Sequence, residues 1–135
     1  MPAILADHNI EGYFALVLRH LESGKWLEVW SSLHYEVVRF ADLGVPPEVP
    51  DRELWLLCQA RSIVLLTANR NSDGADSLGS TIQQLSSPGS LPVITLADPR
   101  RILRDRAYVE LVAERLLALL LDLDALRGTG RLYLP

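Results

Sequence analysis

Apolar residues along this chain follow two rhythms, short unbroken runs and longer stretches that repeat every three or four positions. Ala3 to Ala6 and Ile63 to Leu66 are unbroken runs closed by polar residues, and Pro92 to Leu96 is a similar short stretch interrupted only by Thr95. That is the pattern of strands covered on both faces. Ile10, Tyr13, Phe14, Val17, Leu18 and Leu21 share one face at helical spacing, which predicts a helix capped by Asn9 and stopped near Ser23-Gly24. Trp26 to Tyr35 reads as a short helix, although its β-branched and aromatic content also permits a strand. Glu36 to Phe40 then reads as a short strand. Asp42-Leu43-Gly44 with Pro46, Pro47 and Pro50 reads as a loop.

A further helix is expected from Asp51, as N-cap, to Arg61, and Thr67 to Asp76 is a polar loop. A weakly amphipathic helix covers Ser77 to Leu85, before Pro88-Gly89 breaks the chain. Asp98-Pro99 opens a last helix expected to run to about Leu126, and Arg131 to Leu134 is a candidate edge strand. Strands alternating with helices imply right-handed βαβ units. The expectation is one domain over residues 1–135, a three-layer α/β/α fold around a mostly parallel sheet of four to five strands.

Composition narrows the function classes. A formal charge of −4 speaks against a protein that holds polyanions by a general positive field. The one dense basic stretch, Arg100, Arg101, Arg104 and Arg106, reads first as a solvated helix face. A single cysteine, Cys58, rules out an internal disulfide, a thiolate zinc site and a CxxC pair. The N-terminus lacks a basic segment followed by an apolar run, and the longest apolar stretch, Leu116 to Leu121, is far short of a membrane span. A cytoplasmic protein with no membrane segment is expected. The second half of the last helix is apolar nearly all round, so it is either buried or paired with a second copy as a homodimer.

In parallel sheets ligands bind beyond the carboxyl ends of the strands, where the chain order reverses. Asp7-His8-Asn9, Thr67 to Asn71 and Asp98 all follow strands directly, and Asp51 and Glu53 open a helix able to lean over the same edge. Carboxylates gathered there repel unless a cation lies between them, and oxygen ligands favour Mg²⁺ or Mn²⁺. Such an ion generates a nucleophilic hydroxide and neutralises a phosphate. Each residue taken singly is equally well read as a helix cap. Asp7 is the first choice as a ligand because Asn9 is the better placed cap. His8, beside Asp7, reads either as a base or ligand or, more commonly for a lone histidine at such a junction, as a surface residue; His20 and His34 read as structural, and Cys58 as a core residue. No Gly-rich phosphate loop and no nucleophile elbow occurs. A receiver domain would call for a lysine near the last strand, and Ile94 to Arg101 has none.

Four segments together resemble a PIN-like nuclease domain, of the short bacterial toxin type. They are Ile4-Leu5-Ala6-Asp7-His8-Asn9, the run from Val37 to Gly44, Asp51-Arg52-Glu53-Leu54, and the run from Val64 to Asn71. The resemblance spans residues 3 to about 97. It implies a metal-dependent endoribonuclease, the toxin partner of an antitoxin protein, with Asp7 and Asp51 or Glu53 as metal ligands. Where the family pattern carries acidic residues after the third strand, this chain has Asn69 and Asn71. Asp73 or Asp76 is then the substitute through a shift of the loop, and Asp98 a further carboxylate. The segment Gly24 to Tyr35 resembles an insertion.

Three functions follow as expectations. The first is an Mg²⁺- or Mn²⁺-dependent RNase using Asp7, Asp51, Glu53, Asn69 and Asp73, with metal ligands Asp7, Glu53 and Asp98. The second is a catalytically degenerate domain that binds proteins through its apolar C-terminal helix and Trp26, Trp30 and Trp55. The third is a small-molecule or nucleotide sensor using the same crevice.

Overall fold

The unbroken apolar runs become the middle of a five-stranded, all-parallel sheet in the computed structural model, which describes residues 2–135. The strands are β1 (Ala3–Ala6), β2 (Glu36–Val38), β3 (Ile63–Thr67), β4 (Val93–Leu96) and β5 (Arg131–Leu134), in the spatial order β2-β1-β3-β4-β5. β1, β3 and β4 are buried along their whole length, as continuous apolar runs require. Six α-helices flank them: α1 (Glu11–Leu21), α2 (Leu27–Leu33), α3 (Phe40–Leu43), α4 (Asp51–Ala60), α5 (Leu78–Leu85) and α6 (Arg106–Leu121).

Side-chain alternation splits the core in two. Ile4, Ala6, Val64, Leu66, Ile94 and Leu96 meet α1 and α6, whose Phe14, Val17, Val112 and Leu116 are buried against them. Ala3, Leu5, Ile63, Leu65 and Val93 face the other way, onto Leu54, Trp55 and Cys58 of α4 and Leu78 and Ile82 of α5. Each large apolar side chain buried in this way stabilises the fold by about 1.5–3 kcal/mol. The expected three-layer α/β/α fold is thus present.

Several boundaries differ from the sequence reading, each for a local reason. Asn9 does not cap the first helix. A 3₁₀ turn over His8–Ile10 intervenes, and the Asp7 carboxylate accepts from the His8 N–H at 2.8 Å. Asp51 is the first helical residue of α4 rather than its cap, which is Pro50. β2 ends at Val38, and residues 40–43 turn into helix because Asp42 accepts the Arg39 N–H at 2.8 Å and Gly44 closes the turn at φ 70°. Trp26 to Tyr35 is helical in the main, as α2 preceded by a 3₁₀ turn over Gly24–Trp26.

The last helix is three pieces, a 3₁₀ turn over Pro99–Leu103, α6, and a second turn over Leu123–Leu126. Asp105 makes the first break by capping α6, its carboxylate accepting the Tyr108 N–H at 3.1 Å. That hydrogen bond, and then the Arg101 guanidinium, hold the Asp105 carboxyl below its usual pKa. A depressed acid contributes stability above the ordinary carboxylate range and loses it as pH falls through the depressed value. Asp105→Asn keeps a capping oxygen but removes the titration. Between about pH 6 and about pH 3 its thermal midpoint is therefore expected to fall less than that of the parent chain; equal falls would show that the cap does not titrate with folding.

Candidate functional site at the carboxyl edge of the sheet

In this strand order the connections change direction between β1 and β3, and in parallel sheets ligands bind at the carboxyl ends beside such a reversal. Asp7 follows β1 and Thr67 closes β3, and both continue the alternation that faces α4. Thr67, fully buried, donates its hydroxyl to Asp7 Oδ2 at 2.8 Å. The same hydroxyl oxygen accepts the Asn69 N–H at 3.0 Å. The Asn69 side-chain amide then donates to Asp51 Oδ2 at 3.0 Å. One chain of hydrogen bonds thus joins Asp7, Thr67, Asn69 and Asp51, and its Asp7–Thr67 link bridges a sequence separation of 60. Beneath it, burial pushes the Cys58 thiol up to about 12, with the Asp7 charge adding to the shift, so this cysteine remains a protonated core residue.

A basic flank adjoins this acidic pair. Arg131, at the start of β5, reaches along the sheet to donate through Nη1 to the Asn69 carbonyl at 2.7 Å and to Thr95 Oγ1 at 2.8 Å. Asn69 therefore meets carboxylate with its side chain and guanidinium with its backbone. Arg70 lies beside it, donating to the Ala97 carbonyl with its Cζ 5.7 Å from the Tyr133 ring centroid. Burial lowers the Arg131 pKa below its usual value, and the Arg70 charge adds to that fall.

Other expected site residues lie elsewhere. Glu53 is exposed, two residues beyond Asp51 on α4 and therefore about 200° around the helix from it. Asp73 is exposed on the loop after β3, and its backbone N–H donates to Asn71 Oδ1 at 2.9 Å. Asp98 is also exposed and follows β4 in phase with Ile94 and Leu96, toward α6, where its charge acts on Tyr108. Among the described residues no three side chains of His, Cys, Asp or Glu converge to hold a metal ion. The expected trio Asp7, Glu53 and Asp98 is not brought together as one ligand set, because strand alternation and helix rotation carry the latter two away. His8 is exposed and pairs with Glu11 at 2.7 Å.

Two carboxylates, Asp7 and Asp51, are linked into one hydrogen-bond chain through Thr67 and Asn69. Mg²⁺ commonly takes one or two carboxylates and keeps several waters, so carboxylates in this number are compatible with the chemistry of such an ion. Asn69, as it stands, offers Asp51 an N–H rather than an oxygen. Asp7 and Asp51 were legible as strand-end and helix-start acids. Thr67 and Asn69 were likewise placed at this edge as strand-end polar residues, whereas Thr95 and Arg131 were not, since nothing local in the sequence marks a residue that works across the sheet.

A cavity of about 570 Å³ opens at the opposite, amino edge, among Leu33, Tyr35, Ser62, Leu120 and Asp124. The hydrogen-bonded polar chain and the reversal of strand order both lie instead at the carboxyl edge. No helix among the described residues is long and apolar enough to cross a membrane. Comparison with protein-family models, curated proteins and solved structures finds no match to this chain.

Proposed function

We propose that this chain is a PIN-like, Mg²⁺- or Mn²⁺-dependent endoribonuclease, acting as the toxin of a toxin–antitoxin pair, with Asp7 and Asp51 as the residues that hold the ion. The observation that carries the reading is the hydrogen-bonded chain from Asp7 through Thr67 and Asn69 to Asp51, set where a parallel sheet of this order binds its ligands. An ion bound there would supply an activated water and charge neutralisation at a phosphate. The chain's own contribution is to fix both carboxylates by neutral donors and to place arginines alongside. Purified protein with single-stranded RNA should cleave in Mn²⁺ and stop in excess chelator. Cleavage indifferent to chelator, or none under any divalent ion, sinks the reading.

A second reading, a catalytically degenerate domain that works by association, is favoured by one contact. The Asn69 amide already donates to Asp51, so that carboxylate has a hydrogen-bond partner without a cation. Trp30 and Trp55 do not supply its interface, because both are buried in the core, Trp30 stacked on Tyr35 at 6.0 Å. Leu103, Leu111 and Leu121 remain exposed. Calorimetry with Mn²⁺ separates the readings: heat of binding lost in Asp51→Ala supports the nuclease, and no heat supports the degenerate domain.

A further inference from the structure

We infer that Arg70 and Arg131 form a docking site for a backbone phosphate of a single-stranded nucleic acid, with Tyr133 beside it as a platform for a base. The inference rests on the nuclease reading for the identity of the strand and on the basic flank's own geometry for the phosphate.

Neither guanidinium has a carboxylate partner. Among the described residues the ion pairs are His8–Glu11, Lys25–Glu110, Arg101–Asp105 and Arg127–Asp124, and both Arg70 and Arg131 donate only to neutral oxygens. Half-burying a cation without a counter-charge, next to a second cation, is unfavourable. An anion between the two relieves both costs. Each guanidinium has five N–H donors. Arg131 directs Nη1 at Asn69 and Thr95, and Arg70 directs Nη2 at Ala97, so donors remain on both forks for the bidentate contact that phosphate oxygens accept.

The surroundings select a strand over a free ion. Tyr133, two residues after Arg131 on β5, is 58% exposed, and Arg70 lies over its ring. An exposed aromatic beside phosphate-binding arginines is the combination that single-stranded nucleic acid uses, with base stacking worth about 1–3 kcal/mol per base. Arg131 also grips the carbonyl of Asn69, whose side chain touches Asp51. A phosphate on the arginines would therefore hold its strand alongside the acidic pair. The formal charge of −4 requires the attraction to be local, as this pairing is.

Binding is measured by fluorescence anisotropy of a labelled single-stranded RNA at low salt in EDTA, where no metal-dependent cleavage occurs. Arg70→Ala, at an exposed position, is expected to weaken binding about tenfold and to lower the salt slope by about one. Arg131→Gln is expected to weaken it similarly, with circular dichroism reporting whether that half-buried variant folds. Titrating inorganic phosphate and a nucleoside monophosphate into the parent chain should move the Arg131 Nε–H resonance, each with lower affinity than the RNA. The site is overturned if Arg70→Ala binds RNA as the parent does, or if the parent binds no RNA. Equal affinity for inorganic phosphate and RNA overturns the assignment to a strand. Arginine-dependent binding without Mn²⁺-dependent cleavage removes only the nuclease reading. Cleavage with arginine-independent binding removes only this site.

Discussion

Asp7→Asn is expected to reduce Mn²⁺-dependent RNA cleavage by at least about a hundredfold, the loss usual when a group stabilising transition-state charge is removed, while leaving the fold close to intact. The two effects separate because Asp7 has two distinct tasks. Structurally it caps the 3₁₀ turn through the His8 N–H and accepts the Thr67 hydroxyl. Asparagine caps a helical turn as well as aspartate does, and its amide can meet Thr67 if that hydroxyl turns to accept, so the stability cost should be about 1 kcal/mol. Chemically, however, the substitution removes one of only two charged ligands, which the amide oxygen does not replace. A single-turnover assay paired with urea unfolding measures both quantities. Unchanged cleavage in a folded variant would exclude Asp7 from the chemistry.

Asn69→Asp addresses the feature that most sets this site apart from the family pattern. The parent amide donates to Asp51 at 3.0 Å. Replacing that donor by a carboxylate removes a hydrogen bond to a charged acceptor, worth about 1.5–3 kcal/mol, and sets like charges against each other. In EDTA the variant should therefore be less stable than the parent by about 2–3 kcal/mol. Three carboxylates around one crevice would in turn bind a divalent ion well. A ligand at about a hundred times its dissociation constant contributes about 2.7 kcal/mol, enough to reverse most of the deficit. Thermal unfolding with and without millimolar Mn²⁺ should show a large cation-dependent rise in the variant and a small one in the parent. A variant as stable as the parent in EDTA would mean that the Asn69–Asp51 contact contributes little, and an unresponsive one that the crevice is no cation site.

The same contact divides the two functional readings. A carboxylate satisfied by an amide neither needs nor repels a metal, whereas three unpaired carboxylates would need one. The present residues hold Asp51 through a neutral donor. If the chain binds nucleic acid as proposed, the arginines rather than the carboxylates would supply the attraction.

Local pattern alone determined most of the architecture. Strands β1, β3 and β4 are short, almost wholly apolar stretches, and such stretches are stable only when both faces are covered. α1 and α4 followed from apolar residues at helical spacing, and Pro88-Gly89 and the Pro46 to Pro50 stretch marked breaks, although Asp42 and Leu43, expected in the loop, end helix α3. Asp7 and Asp51 could be placed at the carboxyl edge because strand ends and helix starts are set by local sequence. Element boundaries were less legible where a side chain competes with continued helix or strand, as Asp105 does before α6 and Asp42 does after β2.

Tertiary structure alone decided which polar residues meet. Sheet order brings β1 against β3, so Thr67 reaches Asp7, while strand phase sends Asp98 to the opposite face. Helix rotation separates Glu53 from Asp51. Arg131 reaches Asn69 across 62 residues of chain, because parallel pairing of β5 with β4 lays its long side chain along the sheet toward the crevice. Contacts of that span depend on register and on the direction a side chain takes, and neither quantity is written in the spacing of residues along the chain.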